Sequence, residues 1–489
     1  MSAMSSNCPH LSADGVAPPP AGVPAGASSA APEPGDLPVT QGSLADFARD
    51  VLGGLLQLHA DHGPVAALED GGQRVVFSFD PAVNKQVLGD TKSYDARFFA
   101  VRGPKRSSQR RVTSGLLGMN GDQWKRNRRL LRDSFGPKQI ASYRPTIARL
   151  AEETAAAWKP GDTMDFNEEM VRYMLRVTST LLFGMSGSDD DRRLAYEVGE
   201  QIAEWGQLNH EVGIGALVPD ATFSSRYEEL LEFAESLEAQ TMEMITRRRR
   251  SPERGNDVLS ILVRTNEDGE SLTDEELVGQ SCVLFAAAHL TTAHSFTWTT
   301  FLISQHPEVM RRLEQEFAAL DPAGKHDAQS YPERLIRESM RLLPASSYSQ
   351  RINNEAVDIG PFKELPRGTP IVFSPFITHR LESVYERPQR FNPDRWLTYR
   401  PNGYDYIPFG AGPRRCIGGP LALEVIRTSL PIFLRGRGFR VEPGAEINAE
   451  IRSTMLHPTS GMPMTVVEAG DYGRSPFTGR VAELVDLPA

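Results

Sequence analysis

Apolar residues recur every three to four positions over Gln123–Asp133, Thr146–Trp158, Glu168–Phe183, Arg192–Trp205 and Ser225–Arg250. That spacing lines one face of an α-helix, so five amphipathic helices are predicted. Period-two alternation is confined to short stretches. Pro64–Leu68 and Arg74–Phe79 flank Asp70-Gly71-Gly72 and predict a hairpin. Thr369–Pro375, Phe439–Val441 and Met464–Val467 predict further strands. The best-delimited element begins at Thr273-Asp274-Glu275-Glu276, a capping box with Thr273 as N-cap, and is stopped by Pro307. Its roughly 32 residues make a rod of about 48 Å. The middle, Val283–Ala293, is apolar almost all round and predicts a helix running through the core. No repeat of fixed period and no low-complexity linker divides the body.

The N-terminus differs. Ala17–Pro38 is mostly Ala, Pro, Gly and Ser, with almost nothing large to bury, so residues 1–40 are expected to form a disordered tail and 41–489 one body. Composition adds limits rather than chemistry. The 489 residues carry 53 Lys and Arg against 63 Asp and Glu, a net charge of −10, which argues against a nucleic-acid partner. Three cysteines (Cys8, Cys282 and Cys416) are too few for a disulfide scaffold or a cysteine-rich zinc module and suit a reducing compartment. No apolar run approaches the ~18 residues of a spanning helix and no signal peptide is evident, so a cytoplasmic protein without a membrane anchor is expected.

The chemistry lies in Pro408-Phe-Gly-Ala-Gly-Pro-Arg-Arg-Cys416-Ile-Gly-Gly-Pro420. Glycines at 410, 412, 418 and 419, with Pro413, make a tight irregular loop around Cys416, and Pro420–Arg427 then reads as a helix with proline in its first turn. A cysteine just before a helix start meets unsatisfied N–H groups that favour a thiolate, the metal-binding form. The alternative is a buried, inert thiol.

Phe409, Gly412, Arg414, Cys416 and Gly418 resemble the haem-binding loop of the cytochrome P-450 family, Phe-x-x-Gly-x-Arg-x-Cys-x-Gly. The resemblance runs from roughly residue 44 to 468 and implies a mainly α fold with small β-sheets, in which a long central helix lies over a thiolate-ligated haem. It implies haem b as cofactor and Cys416 as iron ligand. Phe409, Gly410, Ile417 and Gly418 would surround the sulfur and Arg414 would pair with a propionate. Glu338-Ser-Met-Arg341 matches the family's Glu-x-x-Arg helix, and Arg395 in Phe391-Asn-Pro-Asp-Arg-Trp396 matches its third charge, with Asp394 and Trp396 as departures. These three are expected to form a structural network. Trp124-Lys-Arg-Asn-Arg128 resembles the family's Trp-x-x-x-Arg helix, whose side chains contact a propionate, and Arg351 stands where another such partner is placed.

In the central helix, Phe285–Ala293 aligns with the oxygen-binding segment. Thr291 matches the proton-delivering threonine, with Thr292 beside it and Ala288 where glycine is usual. Leu290 replaces the customary acid, which breaks the acid–alcohol pair. Protons then arrive by water, with Thr291 alone or with Thr292 or His289 assisting. Otherwise the enzyme uses peroxide, or it performs oxidative coupling or isomerisation. The expected activity is that of a haem-thiolate monooxygenase, an oxidoreductase using O₂ on a small organic substrate; a non-catalytic haem protein is the competing class. Basic residues cluster at Lys105, Arg106, Arg110 and Arg111, and at Lys125, Arg126, Arg128, Arg129 and Arg132. The second cluster is expected to receive an acidic ferredoxin served by its reductase. Phe98, Phe99 and the polar stretch Ala345–Ser349 suggest a substrate with polar or anionic groups. Cys282 is expected to be a core residue.

Overall fold

The computed structural model describes residues 37–487, apart from 98–99, 218–221, 252–254, 265–268, 320–326 and 328. Cys8, Phe98, Phe99 and nearly all of the expected tail lie outside these residues. The tail's proposed end does not hold: Val39–Gln41 is a strand paired in parallel with Ala67–Glu69, so the fold begins before position 41.

The helices predicted from periodicity are present, at Gly121–Arg132, Pro137–Ala155, Phe166–Ser179, Asp189–Leu217 and Phe223–Arg250. Their ends moved for identifiable reasons. Pro145 reads as a break but sits inside Pro137–Ala155, where burial of Ile140, Tyr143 and Ile147 outweighs one lost ladder bond. Asp189–Leu217 runs well past Trp205 because Leu208 and Val212 continue the buried stripe. Phe183 belongs to a π turn, Thr180–Gly184, that follows Phe166–Ser179.

The strands form a six-stranded sheet in the order Val39–Gln41, Val65–Asp70, Gln73–Ser78, Pro370–Phe373, Ser349–Asn353, Tyr94–Ala96. A three-stranded sheet joins Arg437–Val441, Pro463–Glu468 and Thr163–Asp165, and Ala449–Arg452 pairs with Met455–Pro458 as a separate hairpin. Ala449-Glu450-Ile451-Arg452 alternates, but over only four residues, too short a run to predict a strand by itself.

The central helix spans Asp274–Ser304, 31 residues, about 46 Å long. Its capping box is complete: Glu276 N–H donates to Thr273 Oγ1 at 3.2 Å and Thr273 N–H to Glu276 Oε2 at 3.0 Å. It packs along Phe166–Ser179 and touches the helices Asp189–Leu217, Tyr331–Leu342 and Gly419–Phe433. Leu277–Phe285 and Thr292–Ser304 are buried all round. Between them Ala286, Ala288, Leu290 and Thr291 are only partly buried and Ala287 is exposed. The expected uniform core helix therefore opens on one face at its middle.

Candidate active site

Two glycines make the Cys416 loop possible. Gly410 and Gly412 adopt φ of 65° and 67°, and a Cβ on Gly412 would lie 2.1 Å from the Leu88 carbonyl oxygen. Cys416 N–H donates to the Phe409 carbonyl at 2.8 Å and closes the loop. The helix Gly419–Phe433 then starts with Gly418 as N-cap and Pro420 in its first turn. The backbone N–H groups of Gly418 and Gly419 point at the Cys416 sulfur, and the Phe409 ring packs on Gly419. Burial pushes the thiol's pKa up, while those two N–H groups and the Arg128 and Arg415 charges pull it back. Cys416 is exposed, so its side chain is not part of the packed core.

Cations gather beside it. Arg414 Nη2 donates to the Met119 carbonyl at 2.8 Å and to Asn120 Oδ1 at 2.6 Å. Arg128 Nη2 donates to the Arg415 carbonyl at 2.7 Å. Both guanidiniums lie over the buried Trp124 ring, 4.5 and 5.7 Å from its centre. The tryptophan thus serves as a stacking platform, a role the sequence did not suggest. Arg351 is 9% exposed and donates only to its neighbour Gln350's carbonyl. Among the described residues Arg128, Arg351 and Arg414 form no ion pair. Burial, with Arg414's like charge, lowers Arg351's pKa to about 10; burial does the same for Arg414, opposed by Asp95.

The three charges expected to be structural behave oppositely. Glu338 and Arg341, both fully buried, pair twice at 2.9 Å, and Arg395 Nε approaches Glu338 Oε1 at 3.3 Å. Arg341 also donates to the carbonyls of His379 and Pro388, and Arg395 to that of Glu386. Sequence reasoning missed His379. Its Nε2 accepts the Ile407 N–H at 2.9 Å, so Nδ1 holds the ring proton and donates to the Arg341 carbonyl at 3.1 Å. One buried imidazole thus ties the Glu338–Arg341 helix to the residue preceding Pro408. Only the fold reveals it, because neither partner is a side chain.

On the central helix, Thr291 Oγ1 donates to the Ala287 carbonyl at 2.7 Å, and Ser295 Oγ to the Thr291 carbonyl at 2.8 Å. The first of these bonds falls on the open face; Ser295 lies in the buried stretch that follows. Thr292 is buried. His289 does not join Thr291: its Nε2 lies 3.0 Å from the Val171 carbonyl on the buried flank. Gln280 locks this helix to Gly121–Arg132 and to the turn Leu116–Gly118, donating to Asn127 Oδ1 and accepting the Leu116 N–H. Cys282 is buried near Thr241, its pKa pushed up to about 12 by burial, as an inert thiol requires.

One expectation changes. The basic surface is partly neutralised: Lys125 pairs with Asp122, Arg126 with Glu276, Arg129 with Glu270 and Arg111 with Glu238. In the polar stretch Ala345–Ser349, Ser347 Oγ donates to the Pro344 carbonyl.

Residues 34–463 match the Cytochrome P-450 family model, and the chain belongs to that family. It is 28% identical over 437 residues to pentalenene oxygenase of Streptomyces avermitilis, covering 87% of this chain and 94% of that one. Cyclooctat-9-en-7-ol 5-monooxygenase of Streptomyces melanosporofaciens is also 28% identical, over 85% of this chain and 92% of its own. Among solved structures, the retinoic acid-bound cyanobacterial CYP120A1 aligns with a TM-score of 0.70 at 19% identity, covering 84% of this chain and 93% of that one. A 6-coordinated cytochrome P-450 from Thermus thermophilus aligns at 0.65 and 25% identity, over 85% and 98%. The fold is thus the mainly α cytochrome P-450 fold, and the chain is a haem monooxygenase whose cofactor is haem b. The residues present fit that group: an accessible, N–H-solvated sulfur and, beside it, cations without carboxylates, which a porphyrin's propionates complement. No described helix is long and apolar enough to cross a membrane.

Proposed function

We propose that this chain hydroxylates a compact, mostly apolar organic molecule, with Cys416 as iron ligand and electrons from a separate donor in the cytoplasm. The observation that carries this reading is the junction of an N–H-solvated Cys416 sulfur with uncompensated Arg128, Arg351 and Arg414. When bound, a thiolate-ligated haem supplies O–O cleavage and oxygen insertion. The chain's residues do the rest. Gly418 and Gly419 N–H groups hold charge on the sulfur, Phe409 screens it, and the arginines orient the propionates. Ala287 and Ala288 keep the open face shallow, and Thr291 Oγ1 holds a proton there. Thr292 is left a structural part by its burial.

Leu290 cannot relay protons, which keeps peroxide use, coupling or isomerisation as alternatives. The Thr291–Ala287 bond on an open face supports the O₂ reading. The substrate is read as apolar because the relatives are named for pentalenene and cyclooctatin chemistry, and the Ser347 hydroxyl is taken up by the Pro344 carbonyl. An acidic ferredoxin, with its reductase, is the proposed donor, docking on the exposed Arg415 beside Cys416 and on Arg132. The deciding measurement is the reduced, CO-bound spectrum. A strongly red-shifted Soret band is expected, and its absence, or its persistence in Cys416→Ala, would overturn the assignment. A substrate-induced spectral shift with pentalenene but none with a carboxylate of equal size would support the apolar reading.

A further inference from the structure

One pair of buried side chains has no part in the scheme above. His294 lies three residues after Thr291 and is fully buried in the central helix. Its Nε2 is 3.1 Å from Nδ1 of His457, on the hairpin strand Met455–Pro458, and the ring centres are 4.9 Å apart. His294 Nδ1 has no hydrogen-bond partner among the described residues. His457 is only partly buried, so the pair runs from a wetter ring to a dry one.

We infer that His457 and His294 form a two-imidazole proton path that serves Thr291 in place of the acid missing at Leu290. This rests on the monooxygenase reading. The atoms are in the right order. A solvent proton is taken up at His457 Nε2, a proton crosses from His457 Nδ1 to His294 Nε2, and one leaves His294 Nδ1 toward Thr291. Each ring gains one proton and loses one, nothing is oxidised or reduced, and ring rotation restores the starting tautomers. The last step is short, because positions three apart on a helix hold their Cβ atoms about 5–6 Å apart on one face. A buried ring nitrogen left without a partner is destabilising, so its presence asks for a reason beyond packing.

The surroundings keep both rings neutral and free to accept. Burial lowers His294 well below the usual imidazole range, reinforced by His457 and His289. Burial lowers His457 to about 4; Arg452 and His210 also depress it, while Glu450 and Asp165 oppose. These are the charged groups facing the pair from the hairpin, the helix Asp189–Leu217, the strand Thr163–Asp165 and the central helix itself. His289, bonded to Val171, is a neighbour of the path and not a member. Both histidines act through Thr291 and are positioning residues.

The test uses the haem-loaded chain reduced by a plant-type ferredoxin and its reductase, and reads hydrogen peroxide released per NADPH consumed. Lost proton delivery diverts electrons to peroxide. His457→Gln keeps a hydrogen bond at a partly exposed position but cannot relay. It is expected to raise the peroxide yield several-fold, by about threefold or more, with the CO-bound band and melting temperature unchanged. Leu290→Asp in that background should lower the yield again, a rescue that a packing role would not give. Independently of turnover, imidazole ¹⁵N resonances of the intact protein should show both rings neutral at pH 7 and His294's nitrogens shifted by His457→Gln. His294→Gln should match His457→Gln; if it fails to fold, His457→Gln decides alone. Unchanged peroxide yield, or a His294 resonance indifferent to residue 457, overturns the path. A wild-type protein lacking the red-shifted band would instead overturn the reading beneath it.

Discussion

Two groups of buried arginines lie within one fold and differ in a single respect. Arg341 and Arg395 have every guanidinium direction answered, by Glu338 and by backbone carbonyls. Arg351 and Arg414 are buried or half-buried without an ion-pair partner among the described residues, and burial lowers the pKa of both, opposed at Arg414 by the charge of Asp95. A satisfied buried charge is scaffold, because taking away one partner strands the other. An arginine without a carboxylate can also be held by backbone carbonyls, as buried Arg380 is by those of Phe376 and Leu484. What sets Arg351 and Arg414 apart is that their like charges lie together, Arg414 being part of the Cys416 loop.

The contrast can be broken by experiment. The largest effect is expected at Glu338→Ala, which strands two buried cations and should cost about 3–5 kcal/mol, read as loss of cooperative thermal unfolding or of soluble protein. Arg351→Met should do the reverse in the haem-free chain, leaving its melting temperature equal or higher, while haem retention weakens by about 1.5–3 kcal/mol in a transfer assay to apomyoglobin. If it destabilises the haem-free chain as Glu338→Ala does, the distinction fails. Arg415→Glu should leave stability alone and slow reduction by an acidic ferredoxin, with most of the difference gone at high salt.

The smallest effect is in pH dependence. Folding lowers the pKa of His294 and His457, so the unfolded chain binds more protons below the usual imidazole value. This contribution to stability is complete above about pH 6.5 and is lost as pH falls toward about 4. Melting temperature should therefore fall between pH 7 and 5, and fall less in His457→Gln.

How much of the site was legible depended on where its partners lie in the chain. The Cys416 loop was readable because its constraints are local: glycines for left-handed φ, N–H groups two and three residues on, proline at the helix start. Glu338 and Arg341 sit one helical turn apart, but it was their match to the family's Glu-x-x-Arg helix, not the spacing, that pointed to a buried network. His379 did not, since it joins backbone groups of two distant segments. Neither did the His294–His457 contact, which spans 163 positions. Local charge counting also failed for the basic helix, because Glu270 and Glu276 reach it from the central helix and the residues before it.

From sequence alone came the element types, the capping of the central helix, the glycine-rich Cys416 loop and the leucine at position 290. Periodicity, caps and glycine geometry act over a few residues and can be read in order. Only the tertiary structure decided which arginines lack an ion-pair partner among the described residues, that the central helix opens at Ala287, and that His294 meets His457. Those facts depend on which segments pack together, and burial, which sets the cost of every charge, exists only once they have.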